Sequence, residues 1–206
     1  MILEEVHVLL ISCDVSSLVV DTLCKHAQAG HAVVACFYFD FAAQEKSPAA
    51  ILGSVLKQAV AGLDKVPERI IKAFRGRERA IGGQRLALGE MVEFLQDISS
   101  ARRTFICIDA LDESPARHRP KLLDSFYQIL QNSPGARILL TGRPHIRGEI
   151  DKHLAGRAAT RLITPSKDDI IIFLRAKLKE DTIPDAMDEC LEEEIIKNIP
   201  ESVSEM

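Results

Sequence analysis

Apolar residues along this chain alternate between short continuous runs and stripes of helical spacing. That is the pattern of parallel strands buried on both faces between helices. Residues 6–11 form the first apolar run, a predicted strand. Val15, Leu18, Val19 and Leu23 then recur at helical spacing, and Gly30 supplies a stop. Residues 31–41 are apolar, β-branched and aromatic, which predicts a second buried strand. Ser47-Pro48 pairs an N-cap with a proline at the first helical position, and Ile51, Leu52, Val55, Leu56 and Val60 follow as one stripe. The polar, glycine-containing stretch 75–84 reads as a loop, and Leu88, Met91, Val92, Leu95 and Ile98 as the next amphipathic helix.

Residues 104–109 and 136–141 are two further strand runs. Leu122, Leu123, Phe126, Ile129 and Leu130 mark a helix between them, so the three form a right-handed βαβ unit with parallel strands. A short helix over 145–154 ends this part. Beyond Thr164-Pro165, Ser166 and Asp169 make a capping box with Asp in place of Glu. Ile170, Ile171, Phe173, Leu174 and Leu178 stripe the helix that follows. An acidic helix over 185–198 carries Met187, Leu191, Ile195 and Ile196, and Pro200 is expected to break it. The expectation is a three-layer α/β domain over 1–155, with a mainly parallel sheet of at least four strands. The strand ending at Asp109 should be central. Residues 165–206 should form the truncated start of a helical domain.

Composition narrows the class. The 206 residues are 47% apolar and 27% charged with a net charge of −4, so the chain can bury a core and is no disordered tail. Basic residues cluster only at 75–79, which argues against nucleic acid as a partner. No apolar run approaches the ~18 residues that cross a bilayer, so no membrane partner is expected. Glu4 and Glu5, with no basic flank, exclude a secretory signal reading. Cys13, Cys24, Cys36, Cys107 and Cys190 are scattered, and reduced thiols in a cytoplasmic protein are the economical reading. The apolar stripe at 187–196 invites protein partners or self-association.

The chemistry concentrates at strand ends. The run T-F-I-C-I-D-A-L-D-E over 104–113 puts Asp109 at the carboxyl end of a buried strand, where α/β sheets bind ligands. A carboxylate there suits Mg²⁺, and Asp112 and Glu113 suit the orientation or deprotonation of a water. The plainer alternative is a strand-to-helix turn whose acids face a helix dipole. Arg143, after Thr141-Gly142, brings a guanidinium fork matched to phosphate oxygens to the neighbouring strand end. A triphosphate also needs a G-x-x-x-x-G-K-[ST] loop between a strand and a helix. None of the 11 glycines precedes a lysine, and Ser12, Cys13 and Asp14 are all that separates Ile11 from Val15. Three residues cannot wrap a triphosphate with backbone N–H groups.

The run F-Y-F-D-F at 37–41, with D-A-L-D-E, R-I-L-L-T-G-R-P-H-I-R and P-S-K-D-D-I, resembles the NACHT NTPase domain of large fungal proteins. These are signal-transducing ATPases of the NLR-like (STAND) kind, and this part is also described as nephrocystin-type. The resemblance covers residues 6–206 and implies a P-loop NTPase-like fold. It implies that Asp109 is the Walker B magnesium aspartate, that Asp112 and Glu113 are its second acidic pair, and that Arg143 is the sensor arginine. Intact relatives use Mg²⁺ with ATP or GTP as a switch and continue into helices and ankyrin or WD40 repeats. The absent Walker A loop departs from that pattern. It implies a switch domain defective in nucleotide binding and hydrolysis, with no cofactor of its own. A nucleotide-independent interaction module, or an inactive truncated product, is the alternative.

Overall fold

The apolar runs become β1 (Val6–Leu10), β2 (Ala32–Tyr38), β3 (Arg103–Asp109) and β4 (Ala136–Thr141), joined by β5 (Ala158–Leu162). They hydrogen-bond in the order β2-β3-β4-β1-β5, and every pairing is parallel. The structure is a computed structural model and describes residues 6–10, 14–27, 32–39, 46–78, 86–154, 156–163, 166–179 and 189–204. Two compact units result, Met1–Leu162 and Ile163–Met206.

Strand alternation sorts the sheet into two faces. One face carries Val33, Ala35 and Phe37 of β2, Ile106 and Ile108 of β3, Ile138 and Leu140 of β4 and Val8 of β1, all buried. Helices α2 (Pro48–Ala61), α4 (Leu88–Ala101) and α5 (Arg119–Gln131) lie against it. Their inward stripes are the predicted ones: Ile51, Leu52, Val55, Leu56, Leu95, Ile98, Leu122, Phe126 and Ile129 are each at most 2% exposed. Each Å² of apolar surface this layer removes from water stabilises the fold by about 25 cal/mol. The opposite face receives α1 (Asp14–Ala27), which contacts β2 and β3. Helix, sheet and helix make three layers. α6 (Arg147–Leu154) packs on α5 and β5.

Local signals are visible as bonds. Ser47 caps α2, its hydroxyl accepting from the Ala50 N–H at 3.3 Å. In the second unit, the Ser166 N–H donates to Asp169 at 2.9 Å and the Asp169 N–H to the Ser166 hydroxyl at 3.2 Å, so the Asp-containing capping box forms. The Ser166 hydroxyl, which donates to the Asp169 carboxylate at 2.7 Å, and after it the Ser166 N–H hold that carboxyl below its ordinary range. α7 (Lys167–Lys179) packs on α8 (Glu189–Ser204).

Four expectations are corrected. β4, not β3, is the middle strand, although β3 is flanked on both sides. β5 was not expected: Ala-Ala-Thr-Arg-Leu is half-exposed and too polar to read as a run, and its pairing with β1 makes it a strand. α3 (Glu68–Glu78) extends into the stretch read as a loop, with Ile70 buried beneath it and Arg69 bonded to Glu93 and Asp97 of α4. α8 continues through Pro200, since losing one intrahelical donor bends a helix more readily than it ends it. Gly30, residues 40–41, residues 79–84, Thr164-Pro165, Asp185 and Met187 lie outside the described residues, as do residues 11–13, where the absent phosphate loop was located. No helix among the described residues is long and apolar enough to cross a membrane.

Candidate functional site

β3 and β4 run side by side, and the register that pairs Ile108 with Leu140 brings their last residues together. Asp109 is 7% exposed, and one of its oxygens accepts a 2.5 Å hydrogen bond from the Thr141 hydroxyl. The same hydroxyl oxygen accepts the Ala110 N–H at 2.9 Å. Ala110 adopts φ 53°, ψ 48°, the left-handed region, which costs a residue with a Cβ roughly 1–2 kcal/mol. Thr141 and the fully buried Leu111 hold it there. The result is an abrupt turn from β3 into the 3₁₀ segment Leu111–Glu113, closed by Glu113 N–H to Ala110 O at 2.9 Å.

That turn aims Asp112 and Glu113 at Arg143. The Arg143 N–H donates to Asp112 Oδ1 at 3.2 Å, its Nε lies 3.4 Å from Asp112 Oδ2, and its Nη2 donates to Glu113 Oε1 at 3.2 Å. The Asp112 side chain is 5% exposed, whereas the Arg143 side chain is 70% exposed. Gly142 permits the approach. A Cβ there would stand 2.8 Å from Ile146 Cδ1 and 3.1 Å from Asp112 Oδ1. Beneath the turn, the Arg119 guanidinium donates to the carbonyls of Asp112 (3.3 Å) and Ser114 (2.7 Å) and is fixed by Glu149 of α6 at 2.8 Å.

The four residues expected at the site therefore lie at the carboxyl edge of β3 and β4, in two sets. Asp109 sits with Thr141; Asp112, Glu113 and Arg143 sit with one another. Asp112 and Glu113 share the Arg143 guanidinium as their counter-ion. The residues do not by themselves fit a metal. Asp112 and Glu113 are turned to the guanidinium, and no group of three His, Cys, Asp or Glu among the described residues is arranged to hold an ion. Burial disfavours the thiolates nearby: it pushes the Cys107 thiol up to about 12 and raises that of Cys36. Thr141, Gly142 and Arg119 had escaped the sequence reading. A threonine closing an apolar strand is the signal for the first, and only the steric map reveals the second. Nothing local marks Arg119.

Comparison with known proteins bears on the family and the fold. The family described as nephrocystin 3, N-terminal, matches residues 15–143. No protein of curated function matches the sequence. Among solved structures, the chain is similar to the Walker-type ATPase of Pyrococcus abyssi at 16% identity and a TM-score of 0.52, over 97% of this chain and 60% of that one. It is similar to Cdc6p from Pyrobaculum aerophilum at 13% identity and a TM-score of 0.50, over 85% of this chain and 43% of that one. A weaker likeness, TM-score 0.48 and 16% identity over 84% of this chain and 43% of that one, joins it to the Aeropyrum pernix ORC1 protein, solved in complex with DNA. The chain thus spans at most 60% of these structures' own length. The likeness shows the fold, which is that of P-loop NTPases.

Proposed function

The chain belongs to the nephrocystin 3 N-terminal family, and we propose that this NTPase-like domain is the switch region of a NACHT-type, NLR-like signalling protein of the fungal kind that no longer binds or hydrolyses nucleotide. In this reading residues 1–155 are the switch domain and 165–206 begin a helical one. Asp109 stands where intact relatives hold Mg²⁺, Asp112 and Glu113 where they handle the attacking water, and Arg143 where they sense ATP or GTP. When bound, Mg²⁺ would neutralise the charge of the triphosphate during phosphoryl transfer. The observation that carries the loss is the sequence before Val15, which has no G-x-x-x-x-G-K-[ST]. The pairing of Arg143 with Asp112 and Glu113 favours the companion reading, an interaction module, because sensor and acids satisfy each other without ligand. A net charge of −4 argues for protein partners over nucleic acid or an anionic membrane, and the scattered cysteines suit the cytoplasm.

Equilibrium binding of fluorescent ATP with Mg²⁺ tests this. No saturable binding is expected to about 1 mM, a Kd that corresponds to only ~4 kcal/mol. A variant with G-x-x-x-x-G-K-[ST] inserted before Val15 should gain binding that Asp109→Asn abolishes. Micromolar affinity in the unmodified chain, lost on Asp109→Ala, would sink the proposal.

A further inference from the structure

The two faces of the sheet are covered unequally. Five parallel strands span roughly 20 Å at ~4.8 Å per step, and one helix covers about 10 Å of that width. The inner face has α2, α4 and α5 against it, and there Ile106 and Leu140 are 0% exposed. On the other face, among the described residues, α1 packs toward β2 and β3. Phe105 and Leu139, the neighbours of Ile106 and Leu140 in sequence, are only half-buried there. A groove of about 570 Å³ opens beside α1 over β3, β4, β1 and β5. Val19 and Leu23 of α1 form its wall, Phe105 and Leu139 its apolar floor.

Arginines ring this floor: Arg103, Arg137 and Arg161 all line the groove. Among the described residues Arg137 bonds carbonyls alone, those of Pro134 and Ala136. Arg103 and Arg161 are exposed and form no ion pair among the described residues. The registers pair Ile138 with Val6 and Val6 with Ala158, so Arg161 lies two strands across from Arg137 and about four residues further along. The diagonal is roughly 16 Å, the length of about three helical turns. An apolar trough of one helix's width, with cations at both ends of its diagonal, matches a particular occupant.

We propose that this groove is a docking site for an amphipathic helix of a partner protein. Its apolar stripe would lie on Phe105 and Leu139, and acidic residues about three turns apart would meet Arg103 with Arg137 at one end and Arg161 at the other. Helix-in-groove recognition uses i, i+3, i+4, i+7 anchors of this kind, and the opposite charges give orientation. A nucleic acid suits the groove less well, because its phosphates need a continuous cationic track and would lie over an apolar floor.

The test selects from a display library of 18-residue helical peptides against the whole chain. The library fixes a leucine stripe and lets the flanking positions be Glu, Gln or Lys. Enrichment of Glu at flanks about three turns apart is expected. The best peptide, labelled and measured by fluorescence anisotropy, should bind at least tenfold more weakly to the Arg103→Glu/Arg161→Glu variant. The Arg103→Gln/Arg161→Gln variant should weaken it at least threefold, which keeps the test alive if charge reversal unfolds the chain. No enrichment, enrichment of Lys, or equal affinity for the variants overturns the proposal. So does arginine-dependent binding of oligo-dT, of dodecyl phosphate or of a second copy of this chain where no peptide binds. ATP binding plays no part in these readouts, so they are independent of the nucleotide question.

Discussion

Thr141 serves two partners with one hydroxyl: it donates to Asp109 and accepts from Ala110, which stands in the left-handed region. Replacing it by valine keeps the shape and removes both bonds. The Ala110 N–H and the Asp109 carboxylate are then left without this partner in a buried place, at about 1–3 kcal/mol for each unsatisfied group. Thr141→Val is therefore expected to lower stability by roughly 2–4 kcal/mol, read from the midpoint of urea unfolding. A loss under about 0.5 kcal/mol would mean that the pair does not anchor the turn. Arg143 should behave differently. Its side chain is 70% exposed, so solvent screens its bonds to Asp112 and Glu113, and Arg143→Ala should cost at most about 1 kcal/mol, shrinking with salt. Asp109, Asp112, Glu113 and Arg143 were legible as residues because each is polar where an apolar strand ends. Their division into two sets was not, because it depends on the turn at Ala110.

The α5–β4 connection passes close against the end of α4. Gly135 lies there, and a Cβ on it would stand 2.2 Å from the Ser99 carbonyl oxygen. Backbone cannot yield as a side chain can, so Gly135→Ala should destabilise by about 1–3 kcal/mol or more. Gly53, inside α2, is the contrast: a Cβ there meets Met91 Cε at 3.7 Å, an ordinary contact. Gly53→Ala should stabilise by about 0.5–1 kcal/mol through helix propensity. Thermal melts of the two variants should move in opposite directions, and the same sign for both would contradict the packing described. At this scale the sequence was read well where period and cap agree. α2 is an example, with Ser47-Pro48 before a clean stripe. It was read badly for β5, whose only strong instruction is the open edge of β1.

At the scale of the molecule, the buried thiol on the outer sheet face gives a global signature. Burial raises the Cys107 thiol from 9.0 to about 12, so the folded state keeps its proton longer than the unfolded state. That contribution is fully present below pH 9.0 and is lost as pH rises toward 12. Chemical denaturation midpoints should fall between pH 8.5 and pH 10.5 in the native chain and fall less in Cys107→Ala, once its lower baseline is subtracted. Equal slopes would place the alkaline loss on other groups.

The sequence by itself determined the class of fold, because continuous apolar runs between helical stripes admit few arrangements other than a parallel sheet between helices. It also determined which acids and which arginine stand at strand ends, and the lack of a glycine-lysine phosphate loop. Only the tertiary structure decided the strand order that puts β4 in the middle, the pairing of Arg143 with Asp112 and Glu113, and the arginine-rimmed groove beside α1. Those features join residues far apart in the chain. Contact between such residues is set by hydrogen-bond register and layer packing, and local pattern carries no record of either.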